Sequence, residues 1–214
     1  MAKIRVLLVD DHTVVRQGLR RILEAAPEVE IVGEVGDGRA ALEMAERFKP
    51  TVAVIDISLP KLNGIEVTRQ LAKVVPETKV LILSMHADDA YIRQSLHAGA
   101  KGYLLKDADD HDLVNAVTAL HGGGSYFSPS VSKVLLQGYL SEGETPRDDL
   151  GGLSDREREV LQLIAEGKSN KEVAQLLDVA VSTVESHRKH IMEKLDLHNT
   201  AEMVRYAVHK GIIQ

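Results

Sequence analysis

Apolar positions in the first half of the chain follow two alternating patterns. Runs at Ile4–Val9, Val29–Val35, Val52–Ile55, Val80–Leu83 and Tyr103–Leu105 are short and rich in Val, Ile and Leu, as strands covered on both faces tend to be. Between them, Val14–Ala25, Arg39–Phe48, Ile65–Val75, Asp89–Ala98 and Asp112–Leu120 space their apolar residues by three and four, as amphipathic helices do. This alternation predicts an α/β domain with a doubly wound, five-stranded parallel sheet. The pattern breaks at His121-Gly-Gly-Gly-Ser, where three consecutive glycines are too costly in backbone entropy to lie inside an element. A short helix is expected at Ser130–Leu140, entered through Pro129, and a flexible linker at Ser141–Gly152. From Leu153 the strand signal is gone. Four helical stretches follow, near Asp155–Glu166, Lys171–Leu177, Ser182–Leu195 and Ala201–His209, giving a small all-α domain. The expected organisation is a first domain at 1–121, a linker with a short helix at 122–152 and a second domain at 153–214.

In doubly wound sheets ligands sit beyond the carboxyl ends of the strands, where strand order reverses. The residues at those places are Asp10, Asp11, Asp56, Ser84 and Lys106. Three converging acids repel, by about 3 kcal/mol per pair at ~5 Å and an effective dielectric of ~20. Lys106 is one compensator. The other expected is Mg²⁺, a hard dication that suits carboxylates and accepts phosphate oxygens as well. Such a pocket fits phosphoryl transfer, which is mostly positioning and charge neutralisation around an in-line displacement. Asp56 is then the nucleophile, Asp10 and Asp11 metal ligands, Lys106 the cation facing the phosphoryl oxygens, and Ser84 a hydroxyl donor. A single acid at a strand end is ordinarily a solvated loop residue; five chemically matched residues on one sheet edge are not.

Composition narrows the setting. The 214 residues are 44% hydrophobic and 27% charged, ordinary for a globular protein, and the absence of cysteine excludes disulfides and thiolate metal sites. The apolar start is too short for a signal peptide, and no window approaches the ~18 apolar residues of a membrane span, so a cytoplasmic protein with no membrane partner is expected. A net charge of −6 argues against a general polycation and requires any nucleic-acid contact to be concentrated on one small surface.

Residues 4–120 resemble a receiver domain, from Val9-Asp-Asp-His through Val54-Ile-Asp-Ile-Ser-Leu-Pro-Lys-Leu-Asn-Gly and Leu83-Ser to Lys101-Gly-Tyr-Leu-Leu-Lys-Asp. The resemblance implies a flavodoxin-like sheet and phosphorylation of Asp56 by a sensor histidine kinase. It also implies Mg²⁺ held by Asp56, by Asp11 directly, by Asp10 through water and by the backbone carbonyl of Ser58. Tyr103 matches the switch aromatic that turns inward when Ser84 moves toward the phosphoryl group. Lys106 is followed by Asp107 where many receivers carry proline, so the cis peptide common there is not expected. Gly64 is expected to supply a positive φ to the turn beneath the site, with Pro60 fixing the loop before it.

The second domain opens with two capping-box patterns, Ser154 with Glu157 and Ser169 with Glu172. Leu153-Ser-Asp-Arg-Glu-Arg-Glu-Val-Leu, Glu166-Gly-Lys-Ser-Asn-Lys-Glu-Val-Ala-Gln-Leu-Leu and Val181-Ser-Thr-Val-Glu-Ser-His-Arg-Lys-His-Ile-Met-Glu-Lys-Leu resemble the LuxR-type helix-turn-helix of NarL/FixJ-class regulators. The last is the recognition helix of that pattern. Val184, Ile191 and Leu195 should face inward, leaving Glu185, Ser186 and Arg188 as candidates for base edges and Thr183, Lys189 and Lys168 for phosphates. Many relatives carry lysine at the position of Glu185; an acid there repels phosphate but accepts a hydrogen bond from cytosine N4. Residues 153–214 hold nine Lys and Arg against ten acids, so a monomer should bind weakly and a homodimer, formed on phosphorylation through the last helix or the receiver, should bind operator DNA. RNA polymerase is a further candidate partner. On this reading the protein is a phospho-acceptor regulator and not an enzyme. An aspartate-nucleophile phosphatase is the rival, but Asp56 is followed by Ile57 and Ser58, not by the Asp-x-Asp pair of that chemistry. A receiver reduced to a phosphate-blind dimerisation module is the other.

Overall fold

Every apolar run read as a strand forms one: β1 (Ile4–Val9), β2 (Val29–Val35), β3 (Val52–Asp56), β4 (Lys79–Ser84) and β5 (Gly102–Leu105). The computed structural model describes residues 3–85, 87–140 and 150–213. Helices α1 (Thr13–Glu24), α2 (Gly38–Phe48), α3 (Gly64–Val74), α4 (Asp89–Ala98) and α5 (Asp110–His121) follow the strands in turn, and all strand pairs are parallel. The period of two along each strand sorts side chains onto two faces. Leu7, Val9, Ala53, Ile55 and Ile82 pack beneath α2, α3 and α4 through Ala41, Leu71 and Ile92. Ile4, Val6, Leu8, Val54 and Leu83 pack beneath α1 and α5 through Leu23, Val117 and Leu120. Both faces of the central strands β1, β3 and β4 are covered, which is why these read as apolar runs, whereas β2 at the sheet edge is half-buried over most of its length.

The sheet has six strands, not five. Its order is β2-β1-β3-β4-β5-β6, the last being Tyr126–Phe127, parallel to β5. Two residues after a glycine turn carry no periodicity that a sequence pattern can register. The pairing comes from the open edge of β5: Tyr126 N donates to Lys101 O at 3.2 Å, and Ser128 N to Tyr103 O at 3.3 Å. Tyr126 Oη also donates to Asp112 on α5 at 2.6 Å. Helix α6 (Pro129–Leu140) continues from β6, and its fully buried Val131 joins the core face that holds Tyr103 and Ile92. The chain divides into two units, Met1–Glu142 and Gly143–Gln214. Much of the stretch read as a linker therefore packs on the first unit, while Leu150 packs on the core of the second. The expected flexible segment lies outside the described residues as far as Asp149.

The loop after β3 differs from expectation in one glycine. Gly64 is not in the left-handed region; Lys61 is, with φ 67°. Gly64 is needed for proximity, because a Cβ there would stand 2.0 Å from the Asp56 carbonyl oxygen. Asn63 then caps α3, its side chain accepting from Glu66 N at 2.9 Å.

The second unit consists of α7 (Asp155–Ala165), α8 (Asn170–Leu177), α9 (Val181–Leu195) and α10 (Thr200–His209) around Val160, Val173, Val184, Ile191 and Met203. Both capping boxes form, at Ser154 with Glu157 and at Ser169 with Glu172. Asp178 in the left-handed conformation (φ 51°) ends α8 and turns the chain into α9. Among the described residues no helix is long and apolar enough to cross a membrane.

Candidate functional site

Strand order reverses at β1, which has β2 on one side and β3 on the other. The parallel register sets Val9 beside Ile55, so the next residue of each strand, Asp10 and Asp56, meets at the carboxyl edge. Both are buried, at 1% and 4% exposure. Lys106, just beyond β5, reaches between them, its Nζ 2.8 Å from Asp10 Oδ2 and 2.7 Å from Asp56 Oδ2. Burial raises the pKa of Asp56, and the Lys106 ammonium and the Ser58 backbone N–H offset this only in part. Burial alone would lower Lys106, but hydrogen bonds and charge from Asp10 and Asp56 outweigh it and hold the ammonium above its ordinary value. Asp11 stands at the rim, with Oδ1 2.8 Å from His12 Nδ1.

Ser84 ends β4 and Tyr103 lies on β5, both fully buried. The tyrosine hydroxyl is hydrogen-bonded to the Ser84 side chain, yet burial dominates and pushes the phenol up to about 12. The ring thus points inward, with its neutral form enforced. Lys106 N donates to Ser84 O at 2.9 Å, tying the ends of β4 and β5 together.

Acid oxygens of Asp10, Asp11 and Asp56, with a nitrogen of His12, lie within 4.8 Å of one another. Asp10 Oδ1 accepts from His12 N at 2.8 Å and Oδ2 faces Lys106 Nζ at 2.8 Å, so the single ammonium is shared by two buried carboxylates with a third beside them. Three converging carboxylates that one ammonium does not neutralise, offering hard oxygen donors, fit a divalent cation of the Mg²⁺ type.

On the second unit, α9 buries Val184 and Ile191 and leaves Glu185, Ser186 and Lys189 exposed, with Thr183 half-buried beside them. Lys168 is exposed in the turn before α8. Ser186 Oγ donates back to Ser182 O at 3.0 Å, and Lys189 Nζ lies 3.7 Å from Glu193. Arg188 differs from the other candidates: its Nη1 donates to Asn170 Oδ1 and its Nη2 to Thr200 Oγ1, each at 2.7 Å. It ties α9 to the first residues of α8 and α10.

Residues 6–118 match the response regulator receiver domain family, and residues 152–207 match the luxR family of bacterial regulatory proteins. The chain is a response regulator. It is 40% identical over 211 residues to the transcriptional regulatory protein MctR of Rhizobium johnstonii, covering 99% of this chain and 96% of that one. It is 37% identical over 214 residues to the oxygen regulatory protein NreC of Staphylococcus carnosus, at 98% and 99% coverage. Among solved structures it resembles the response regulator ChrA of a heme-sensing two-component system, with TM-score 0.55, 37% identity and full coverage of both chains. It also resembles the complex of the response regulator RcsB with DNA, with TM-score 0.60, 30% identity, and 96% and 98% coverage.

In this response regulator Asp10, Asp56 and Lys106 form one connected cluster, and Ser84 and Tyr103 a second. Sequence reading did not single out two participants. His12 joins the acid cluster, and Arg16 on α1 donates to the Asp10 carbonyl oxygen. The signal for Arg16 was present in principle: an arginine one turn into the helix that follows two acids is within reach of their backbone. The Asn170 and Thr200 partners of Arg188 gave none, since they are far apart in sequence and meet only through the packing of three helices.

Proposed function

We propose that this response regulator is a transcription factor of a two-component system, switched by phosphorylation of Asp56 and acting on DNA in the cytoplasm. The observation that carries the reading is the buried Asp56 carboxylate held by the Lys106 ammonium at 2.7 Å on the carboxyl edge of the sheet, where strand order reverses. An Asp56 oxygen attacks the phosphorus of a phosphohistidine on a sensor histidine kinase. The P–O bond forms as the P–N bond breaks, and the leaving imidazole takes up a proton. Burial strips the nucleophile of water, and Lys106 keeps a positive charge beside the incoming phosphoryl oxygens. Mg²⁺, held by Asp10, Asp11, Asp56 and the Ser58 carbonyl, would supply further charge neutralisation when bound. Ser84 is placed to donate to the phosphoryl group, and its hydroxyl already meets Tyr103, so one movement displaces both.

The output is DNA binding through α9 in the major groove, supported by the LuxR-type match and by the likeness to the RcsB–DNA complex. Glu185 and Ser186 are the base-edge candidates that stand free of other helices; Thr183, Lys189 and Lys168 are placed for phosphates. Arg188 would reach a base only by giving up both of its partners. A phosphorylated homodimer doubles the phosphate contacts of a domain with a net negative formal charge, and RNA polymerase is the partner through which a bound regulator would alter transcription. The decisive experiment is mass spectrometry after treatment with acetyl phosphate and Mg²⁺: an acid-labile phosphate on Asp56, absent from Asp56→Asn, is expected. Phosphate on another residue, or on neither protein, would sink the reading.

A further inference from the structure

Arg16 lies on α1, a helix that supplies none of the residues assigned to phosphoryl chemistry. Its guanidinium reaches back to the end of β1, where Nη1 donates to the Asp10 carbonyl oxygen at 2.5 Å. Its Nε stands 3.8 Å from Glu34 Oε2 on β2, and the side chain is 18% exposed. Glu34 is paired in turn with Arg20, which pairs with Glu24 at 2.8 Å. Ionic contacts between α1 and β2 thus hold the fork from behind. The carbonyl it grips belongs to the peptide joining Asp10 to Asp11. Because a peptide is planar, fixing that oxygen fixes the direction in which the Asp11 Cα leaves β1, and so the point from which its side chain departs.

We propose that Arg16 is a positioning residue for the divalent-cation site, holding the Asp10–Asp11 peptide so that the two carboxylates converge as a cation requires. The proposal rests on the reading of the acidic pocket as that site. It makes a forecast opposite in sign to plain electrostatics. A guanidinium near a dication repels it, so removing the charge should tighten binding if charge were all that mattered. Loss of positioning should loosen it. Lysine separates the two further, since it keeps the charge but presents a compact point donor in place of the planar fork that reaches both the carbonyl and Glu34.

The test is Mn²⁺ binding to the full chain, read as free Mn²⁺ by electron paramagnetic resonance, with thermal unfolding followed on the same samples. Asp11→Asn defines the part of the binding that belongs to the pocket. Arg16→Gln and Arg16→Lys are each expected to weaken that part about tenfold, the scale of losing a partner that orients metal ligands. Unchanged or tighter binding by folded Arg16→Gln, or unchanged binding by Arg16→Lys, overturns the proposal. A lowered melting temperature with unaltered affinity would likewise leave Arg16 a structural residue and nothing more. If Arg16→Gln does not fold, Arg16→Lys decides. Wild-type protein that binds Mn²⁺ with no dependence on Asp11 would instead defeat the reading of the pocket, and the role of Arg16 with it.

Discussion

Asp56 sits where its charged form is disfavoured. Its pKa is raised by burial, so folding favours the protonated acid, and stability declines as pH rises from the unfolded value through the folded one. At neutral pH the ionised group is a net cost. Asp56→Asn should therefore raise the midpoint of urea unfolding at pH 7 while abolishing phosphorylation; an unchanged or lowered midpoint would contradict the electrostatic account. Two phenols make the opposite end of the pH scale informative. Tyr103, through burial, and Tyr126, through its bond to Asp112, are both pushed up to about 12. Stability from these groups is complete below the unfolded value of about 10 and is lost as pH rises toward the folded one. An ultraviolet titration should show two of the five tyrosines ionising near pH 12 or on alkaline unfolding. At this scale the acids, Ser84 and Lys106 were legible because each ends or follows a strand whose Val, Ile and Leu announce it. The role of Gly64 was not, because its cause is a carbonyl eight residues back that only the folded loop brings near.

Elements were legible in proportion to their length. Strands and helices with several periods of pattern came out within two residues at each end, whereas β6 consists of two residues and depends on the edge of β5 for its existence. Its weight can be measured. A fragment ending at His121 lacks both β6 and Val131, leaving β5 as an exposed edge above an opened core; it should unfold at lower urea than a fragment ending at Leu140 and associate more readily. Equal midpoints would show that β6 and α6 are passengers. On α9 the side chains sort by what they touch. Glu185→Ala should change preference among operator variants by about 1–3 kcal/mol, and Lys189→Ala should weaken all sequences alike and flatten the salt dependence by about one unit. Arg188→Ala, which unties α8 and α10 from α9, should lower affinity for every operator and lower the melting temperature too. A selective effect from Arg188→Ala in binding assays would return it to the bases.

For the whole molecule, the pattern of the sequence predicted two domains, and the chain divides into two units; the first reaches past the glycines because β6 and α6 pack on it, a break in local pattern not being a break in packing. How the phosphorylated pocket reaches the DNA-binding unit divides into release of a covered recognition helix and formation of a dimer with helices about 34 Å apart. Under release, the fragment 150–214 should bind operator DNA at least as well as the phosphorylated full chain; under dimerisation alone it should bind far worse until fused to an unrelated dimer. Gel-shift titrations at equal salt distinguish the two. The sixth strand bears on both. A receiver that ended with α5 would hand its chain on at the amino edge of the sheet, the side away from the acids. Because β6 runs parallel to β5, it turns the chain back toward the carboxyl edge of the sheet, three strands away from β3, and α6 sets out there. The start of α6 is thus fastened beside β5, with Ser128 N donating to the carbonyl of Tyr103 at 3.3 Å, so any movement of that strand is handed directly to the place where α6 begins.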